Sequence, residues 1–239
     1  IDKSGAASGE KHIVFYNPPV VNKQLGVRKS VLQETLRISS MLVDNDISTI
    51  VFGKSRLTVE VLTRHLKERV KDPFGNAGRV RGYRGGYLPT LRREIERGLR
   101  KGEIRAVVST NALELGIDIG QLDACVLCGY PGSIASTWQE AGRAGRDGLP
   151  SQCILLFSPQ DIVINRFLLD HKENDDLDDE AADLLRERDN QRLQAMANYC
   201  QTTGWLRNYI LRYFGEEPAG PCGSCGNCDR GFEEGDMTA

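Results

Sequence analysis

Apolar and polar positions alternate between two patterns over residues 12–157. Short runs of apolar, often β-branched residues predict buried strands. The stretches between them carry apolar residues three or four positions apart, as on one face of a helix. The predicted strands cover residues 12–17, 48–53, 105–110, 123–130 and 153–157, and the predicted helices cover residues 28–44, 54–70, 88–104 and a stretch from about 133. This order predicts an α/β fold, with a mainly parallel sheet between helices on both faces.

The pattern changes beyond residue 157, where only helical periodicity remains. Helices are predicted at residues 161–170, 180–199 and 203–214, and the acidic stretch between the first two is typical of a flexible connection. We therefore predict two domains, and the full division is a disordered end at 1–10, an α/β domain at 11–170, an acidic linker at 171–179, a small helical domain at 180–232 and a tail at 233–239.

Composition limits the classes of function. The 239 residues carry a net charge of -2, which argues against a uniformly basic nucleic-acid binder. The charge is uneven, however: residues 79–105 hold nine Lys or Arg against three Glu, and residues 170–189 hold ten Asp or Glu against three Lys or Arg. One basic face for nucleic acid fits this distribution, and so does a charged helix exterior. No uncharged apolar run is long enough to span a membrane and no signal peptide is visible, so we expect a cytoplasmic protein without membrane contact.

The segment QEAGRAGRDG at residues 139–148 carries the strongest chemical signal. Its two arginines, Arg143 and Arg146, are three positions apart, so they share one face if this segment opens or lines a helix. Two planar, permanently charged guanidinium groups suit the stabilisation of charge on a transferring phosphoryl group. The alternative is a solvated turn of glycine and arginine.

The context of this segment resolves the alternative through a resemblance. Residues 107–120 and 139–148 resemble motifs V and VI of superfamily 2 helicases in order and spacing, and QEAGRAGRDG resembles the RecQ form of motif VI. The resemblance implies a RecA-like fold for the α/β domain and an ATP site. It implies catalytic roles for Gln139, Arg143 and Arg146, with the two arginines also contacting ATP together with Gly116 and Asp118.

Further segments resemble the nucleic-acid contacts of the same superfamily. Residues 50–62 resemble motif IV, which implies that Ser55 and Arg56 meet the backbone of a bound strand, and motif V implies the same for Ser109 and Thr110. A glycine-rich loop at residues 80–87 resembles the YRGGY segment of the MrfA-like bacterial helicases and adds Arg84 and Gly85 to this set. Backbone amides at a helix start with nearby arginines bind phosphate well, although a helix-capping turn explains the loop equally simply.

A cysteine cluster near the end predicts a metal site. Cys222, Cys225 and Cys228 are spaced three apart among glycines, which favours tetrahedral Zn²⁺ over a disulfide or free thiols in a chain without a secretory signal. Residues 206–230 resemble the zinc-binding domain of RecQ helicases, whose fourth cysteine would occupy position 205. Trp205 stands there instead, so the fourth ligand is Cys200, Asp229 or water.

The motifs define half of an enzyme. Neither a G-x-x-x-x-G-K-[ST] loop nor an acidic magnesium box is present, so ATP and Mg²⁺ would be shared with a missing first RecA-like domain. We expect the C-terminal part of a three-prime to five-prime DNA helicase that acts in DNA repair or recombination on single-stranded or partly duplex DNA, in the bacterial cytoplasm or a nucleus. The alternative is a non-catalytic nucleic-acid-binding or scaffolding module. Residues 12–135 resemble the MrfA-like group and residues 139–230 resemble RecQ, which suggests either an intermediate family member or a join of two branches.

Overall fold

The computed structural model describes residues 9–70, 77–83, 87–110, 122–171, 179–218 and 220–230. Within these ranges both strands and helices occur up to residue 170, and only helices follow. The strands are β1 (Lys11–Tyr16), β2 (Val20–Asn22), β3 (Val27–Arg28), β4 (Thr49–Gly53), β5 (Val80–Tyr83), β6 (Ala106–Ser109), β7 (Ala124–Cys128) and β8 (Ser151–Leu156). The helices are α1 (Val31–Asp44), α2 (Arg56–Arg69), α3 (Pro89–Arg100), α4 (Ile134–Ala141), α5 (Pro159–Asp170), α6 (Asp179–Gln201), α7 (Leu206–Tyr213) and α8 (Gly226–Arg230), with a short 3-10 turn at Ala77–Arg79.

Six strands form one parallel sheet in the order β1-β8-β7-β4-β6-β5. The inner strands β4, β6 and β7 are buried along their whole length, as expected for strands covered on both faces. Helices α1 and α2 contribute to one buried cluster, and α3 and α4 contribute to the other cluster across the sheet. The predicted three-layer α/β fold is therefore confirmed.

Two strand elements differ from the sequence-based prediction. The glycine-rich segment predicted as a loop begins with an edge strand, β5, because its Val80 and Tyr83 are buried against the sheet. Pairing with β6 outweighs the weak strand propensity of the glycine between them. The second difference is the β2–β3 hairpin, a separate two-stranded sheet that was not predicted from the sequence of residues 20–28.

The helical tail packs directly on the sheet. The Ile13 amide of edge strand β1 donates to the Ser224 carbonyl at 3.1 Å, and Ile13 forms a parallel bridge with Cys225. The Phe15 and Tyr199 rings meet edge to face, with their centroids 4.8 Å apart. Buried residues of β1 and α6 belong to one hydrophobic cluster. The two predicted domains therefore share buried contacts, and the cysteine-bearing segment covers the open edge of the sheet, which an exposed strand requires.

None of the helices in the described ranges has both the length and the apolar composition needed to cross a membrane.

Candidate nucleotide, nucleic-acid and zinc sites

The two arginines lie in a turn rather than in a helix. Helix α4 ends at Ala141 with Gly142 as its C-cap, and the Arg143 amide donates to the Glu140 carbonyl at 3.1 Å. The Nε of Arg146 donates to the Gly142 carbonyl at 3.1 Å, which anchors this side chain to the end of the helix. The expectation that both arginines share a helix face is therefore replaced by a turn that directly follows α4.

Gly145 fixes this turn against the sheet. Its amide donates to the Leu122 carbonyl at 2.9 Å, and its carbonyl accepts from the Gly9 amide at 3.2 Å. Its φ of +70° is a left-handed value, and a Cβ there would lie 2.5 Å from Oγ of Ser151. Only glycine fits without rearrangement. Leu122 precedes β7 and Ser151 begins β8, so the arginine turn lies at the amino ends of the strands.

The electrostatics of this corner favour an anion. Burial lowers the pKa of Arg143, and the charge of Arg146 lowers it further. Lys11 adds a third cation: its Nζ donates to the Ala141 carbonyl at 2.6 Å, while burial, together with the charges of Arg146 and Arg207, lowers its pKa. Sequence reasoning missed Lys11, because nothing in the pattern of β1 distinguishes it. A multiply charged phosphate group would relieve the repulsion among these cations.

Glu140 is a buried acid beside this turn. Its side chain is only 4% exposed, and burial raises its pKa to about 8. It lines a cavity of about 270 Å³ together with Lys54, Thr110 and Tyr130. The acid is therefore largely neutral at pH 7, so its burial does not require a partner of opposite charge.

The predicted strand contacts lie at the opposite, carboxyl end of the sheet. Ser55 is the N-cap of α2, and its hydroxyl accepts from the Thr58 amide at 3.1 Å, which is a structural role in itself. Arg56, the first residue of α2, is exposed. Ser109 is fully buried at the end of β6, so it is withdrawn from the contact set, whereas Thr110 is partly exposed beside it.

Four predicted residues lie outside the described residues: Arg84 and Gly85 of the glycine-rich loop, and Gly116 and Asp118 of motif V.

The cations of the basic stretch at residues 79–105 fall into two groups. Arg79 and Arg105 both pair with Asp46, at 2.6 and 2.7 Å, so these two cations hold the amino ends of the sheet together. Arg93 and Arg97 of α3 are exposed, so their charges are accessible to a polyanion.

The structure brings three of the four predicted zinc ligands together. The sulfur atoms of Cys222, Cys225 and Cys228 lie 3.4 to 3.5 Å apart. Three sulfurs around one tetrahedral zinc ion, at about 2.3 Å each, would be about 3.8 Å apart, so the cluster fits the ion after a small expansion. Burial disfavours the Cys225 thiolate, but hydrogen bonds from the backbone amides of Leu206 and Cys228 and from the Cys222 and Cys228 thiols together outweigh this effect and lower its pKa.

The fourth position is not filled by Cys200 in this geometry. Among the described residues, only Cys222, Cys225 and Cys228 lie close enough together to bind one metal ion, and we call the segment 222–228 that carries them the knuckle. Burial strongly raises the pKa of the Cys200 thiol. Asp229 pairs instead with Nε2 of His12 at 2.9 Å. Trp205 is the N-cap of α7, one residue before the Leu206 amide that serves Cys225. Position 205 is therefore adjacent to the knuckle, as the RecQ resemblance implied.

Comparison with known families identifies both parts of the chain. Residues 28–148 match the model of the helicase conserved C-terminal domain, which includes the arginine turn and β4 to β7. The chain belongs to this helicase family. Residues 159–229 match the RecQ zinc-binding model, which includes the three clustered cysteines. The second match begins at α5, within what the sequence assigned to the first domain.

The relatives agree with this membership. The chain is 51% identical over 173 residues to the uncharacterized ATP-dependent helicase YprA of Bacillus subtilis, covering 72% of this chain and 23% of that protein. It is 40% identical over 155 residues to the ATP-dependent DNA helicase RecQ of the same organism, covering 65% and 24%. Among solved structures, the DUF1998 helicase MrfA bound to DNA and AMPPNP aligns with a TM-score of 0.61 and 44% identity over 92% of this chain and 31% of that one. The chain thus spans less than a third of each of these relatives.

Proposed function

We propose that this chain is the second RecA-like half of a three-prime to five-prime ATP-dependent DNA helicase. ATP and Mg²⁺ are held mainly by a first half, and Arg143 and Arg146 contact the phosphates across the interface. The resemblance gives the polarity. The relatives named above support the activity, since they are ATP-dependent helicases and one of the solved structures holds DNA and AMPPNP. A role in DNA repair or recombination, in the bacterial cytoplasm or a nucleus, is part of the same proposal.

One observation carries this proposal: Gly145 anchors the arginine turn to Leu122. That contact places the turn beside the segment that enters β7, and Gly116 and Asp118 lie only a few residues earlier in the sequence. The amino end of the sheet therefore holds the two arginines expected to meet the nucleotide. The exposed Arg56 and the partly exposed Thr110, at the carboxyl end, are left for the nucleic-acid strand.

The zinc ion belongs to the same proposal as a structural group. Cys222, Cys225 and Cys228 would hold it, and water would supply the fourth ligand. Zinc held by thiolates lends folding free energy to small domains. In this chain it would stabilise the knuckle that covers strand β1.

Reconstitution tests the proposal. We expect the chain alone to hydrolyse no ATP, because it lacks the phosphate-binding loop and the magnesium ligands. Mixing it with the first RecA-like half of its parent enzyme, or fusing the two, should produce hydrolysis that single-stranded DNA stimulates. Turnover by the pure chain alone would contradict the half-helicase interpretation, and a silent mixture that still binds DNA would favour the non-catalytic module.

A further inference from the structure

A cleft at the carboxyl end of the sheet is not used by the predicted motifs. It has a volume of about 480 Å³ and lies between the β2–β3 hairpin and the first turn of α5. Its apolar walls include Leu25, Val27, Val31, Pro159 and Ile164. The volume lies within the range of about 300 to 1,000 Å³ typical of ligand pockets, and it is large enough for one nucleotide base.

The hairpin presents apolar side chains to solvent instead of burying them. Leu25, at its tip, is 75% exposed, and Ile164 on α5 is 51% exposed. The Asn22 side chain accepts from the Leu25 amide at 3.1 Å, and Arg28 donates to the Pro18 carbonyl at 2.8 Å, so the hairpin has a defined shape. Exposed apolar walls on a shaped cleft indicate a ligand that supplies the missing apolar surface.

The charge around the cleft selects the class of ligand. Arg28 and Lys29 line it together with one carboxylate, Asp161, and ion pairs extend this charged group to Lys54, Glu34 and Arg37. The carboxylates are both engaged: Glu34 with Lys29 and Arg37, and Asp161 with Lys54 at 2.5 Å. Four cations against two carboxylates leave a positive excess of two. An apolar cleft with a cationic rim matches a base attached to a phosphate backbone.

The cleft is continuous with the predicted strand-binding surface. Lys54, which pairs with the cleft residue Asp161, directly precedes Ser55 and Arg56 in sequence. Strands β1, β4 and β8 all end at this side of the sheet, and the hairpin, α2 and α5 begin there. A strand that crosses Arg56 can therefore reach the hairpin without turning around the domain.

We propose that this cleft holds one unstacked base of the bound DNA strand, packed between Leu25 of the hairpin and Ile164 of α5. The inference rests on the proposed strand binding and adds a contact to a base rather than to the backbone. Stacking on apolar side chains tolerates any base, so this contact holds the strand in register without reading its sequence.

An abasic scan with this chain tests the contact. The probe is the shortest fluorescein-labelled oligothymidine that binds with full affinity, so that only one register is available, and each base is removed in turn. We expect loss of one base to weaken binding about fivefold to tenfold, the low end of the effect of stacking on aromatic side chains, whereas loss of the other bases has little effect. Leu25→Ser and Ile164→Ser should each weaken binding of the intact probe by a similar factor. Removal of that one base should then weaken the binding of these variants no further.

Val163→Ser is the matched control, because Val163 lies on the same helix, is 67% exposed and does not line the cleft. It should behave like the unmodified chain. The inference is overturned if no single base matters, or if Ile164→Ser keeps the abasic effect. Unchanged DNA binding by both cleft variants would also overturn it, and would assign the apolar walls to a protein contact. If both cleft variants bind DNA normally but Arg56→Ala still lowers the salt dependence of binding, the proposed strand binding holds and only the base contact is refuted. A chain that binds no probe contradicts both the strand binding and the base contact.

Discussion

Gly145→Ala should destabilise the fold and displace the arginine turn. Alanine in the left-handed region costs about 1 to 2 kcal/mol. The added Cβ would also lie 2.5 Å from Oγ of Ser151 and 3.2 Å from the Leu149 carbonyl oxygen, a crowding that costs about 1 to 3 kcal/mol. The free energy of unfolding should therefore fall by about 2 to 5 kcal/mol, measured by urea denaturation. The ATPase rate of the reconstituted helicase should fall with it, because Arg143 and Arg146 flank this residue.

Gly132→Ala separates the two contributions. Gly132 has a φ of +92°, and nothing lies within 4 Å of a Cβ built on it. This control should lose only the backbone contribution of about 1 to 2 kcal/mol. Adding Ser151→Ala to Gly145→Ala should recover part of the crowding loss in a double-mutant cycle. If Gly132→Ala and Gly145→Ala lose the same free energy of unfolding, and Ser151→Ala recovers none of the loss, the Ser151 contact has no role in shaping the turn.

Three further predictions concern the zinc site, the buried acid and the DNA face. Protein purified without chelator should contain about one zinc ion per chain by elemental analysis. Cys225→Ser should remove this zinc and expose the amides of β1 to hydrogen exchange. Trp205→Cys should raise the zinc affinity measured by chelator competition. The raised pKa of Glu140 means that the folded chain holds this proton more tightly than the unfolded chain. The free energy of unfolding should therefore fall as pH rises from 4.5 to about 8, by at most about 1.4 kcal/mol per pH unit; Glu140→Gln should remove this fall, and parallel pH profiles would contradict it. Arg56→Ala and Arg84→Ala should each lower the salt slope of DNA binding by about one unit, and weaker binding with an unchanged slope would indicate a folding defect.

Local sequence patterns predicted the elements that local interactions stabilise and the strands that are fully buried. The apolar runs of β4, β6 and β7 are hydrophobic on both faces, so their periodicity identifies them without knowledge of their neighbours. The pairing of β5 depends on β6, which lies more than twenty residues later, and no local pattern reports it. The hairpin remained hidden for a related reason: its apolar residues are exposed, so burial does not impose an alternating pattern on them.

The site divides in the same way. The identities of Arg143, Arg146 and the three clustered cysteines follow from short motifs, because their chemistry requires those residue types at that spacing. Their positions do not follow, since the turn is held by Gly145 against Leu122 and Ser151 from other parts of the chain. Lys11 and the packing of the knuckle on β1 depend on tertiary contacts that the sequence does not display.

The ATPase rate of Arg146→Ala in the reconstituted helicase tests the central claim most directly. Arg146 is exposed, and its Nε donates to the Gly142 carbonyl at the start of its own turn, so its loss should leave folding nearly intact. If it stabilises the transferring phosphoryl group, DNA-stimulated turnover should fall by about three to five orders of magnitude, and Arg146→Lys should recover little because lysine lacks the planar fork of donors. Turnover within about tenfold of the unmodified enzyme, well short of that range, would contradict the role assigned to the arginine turn.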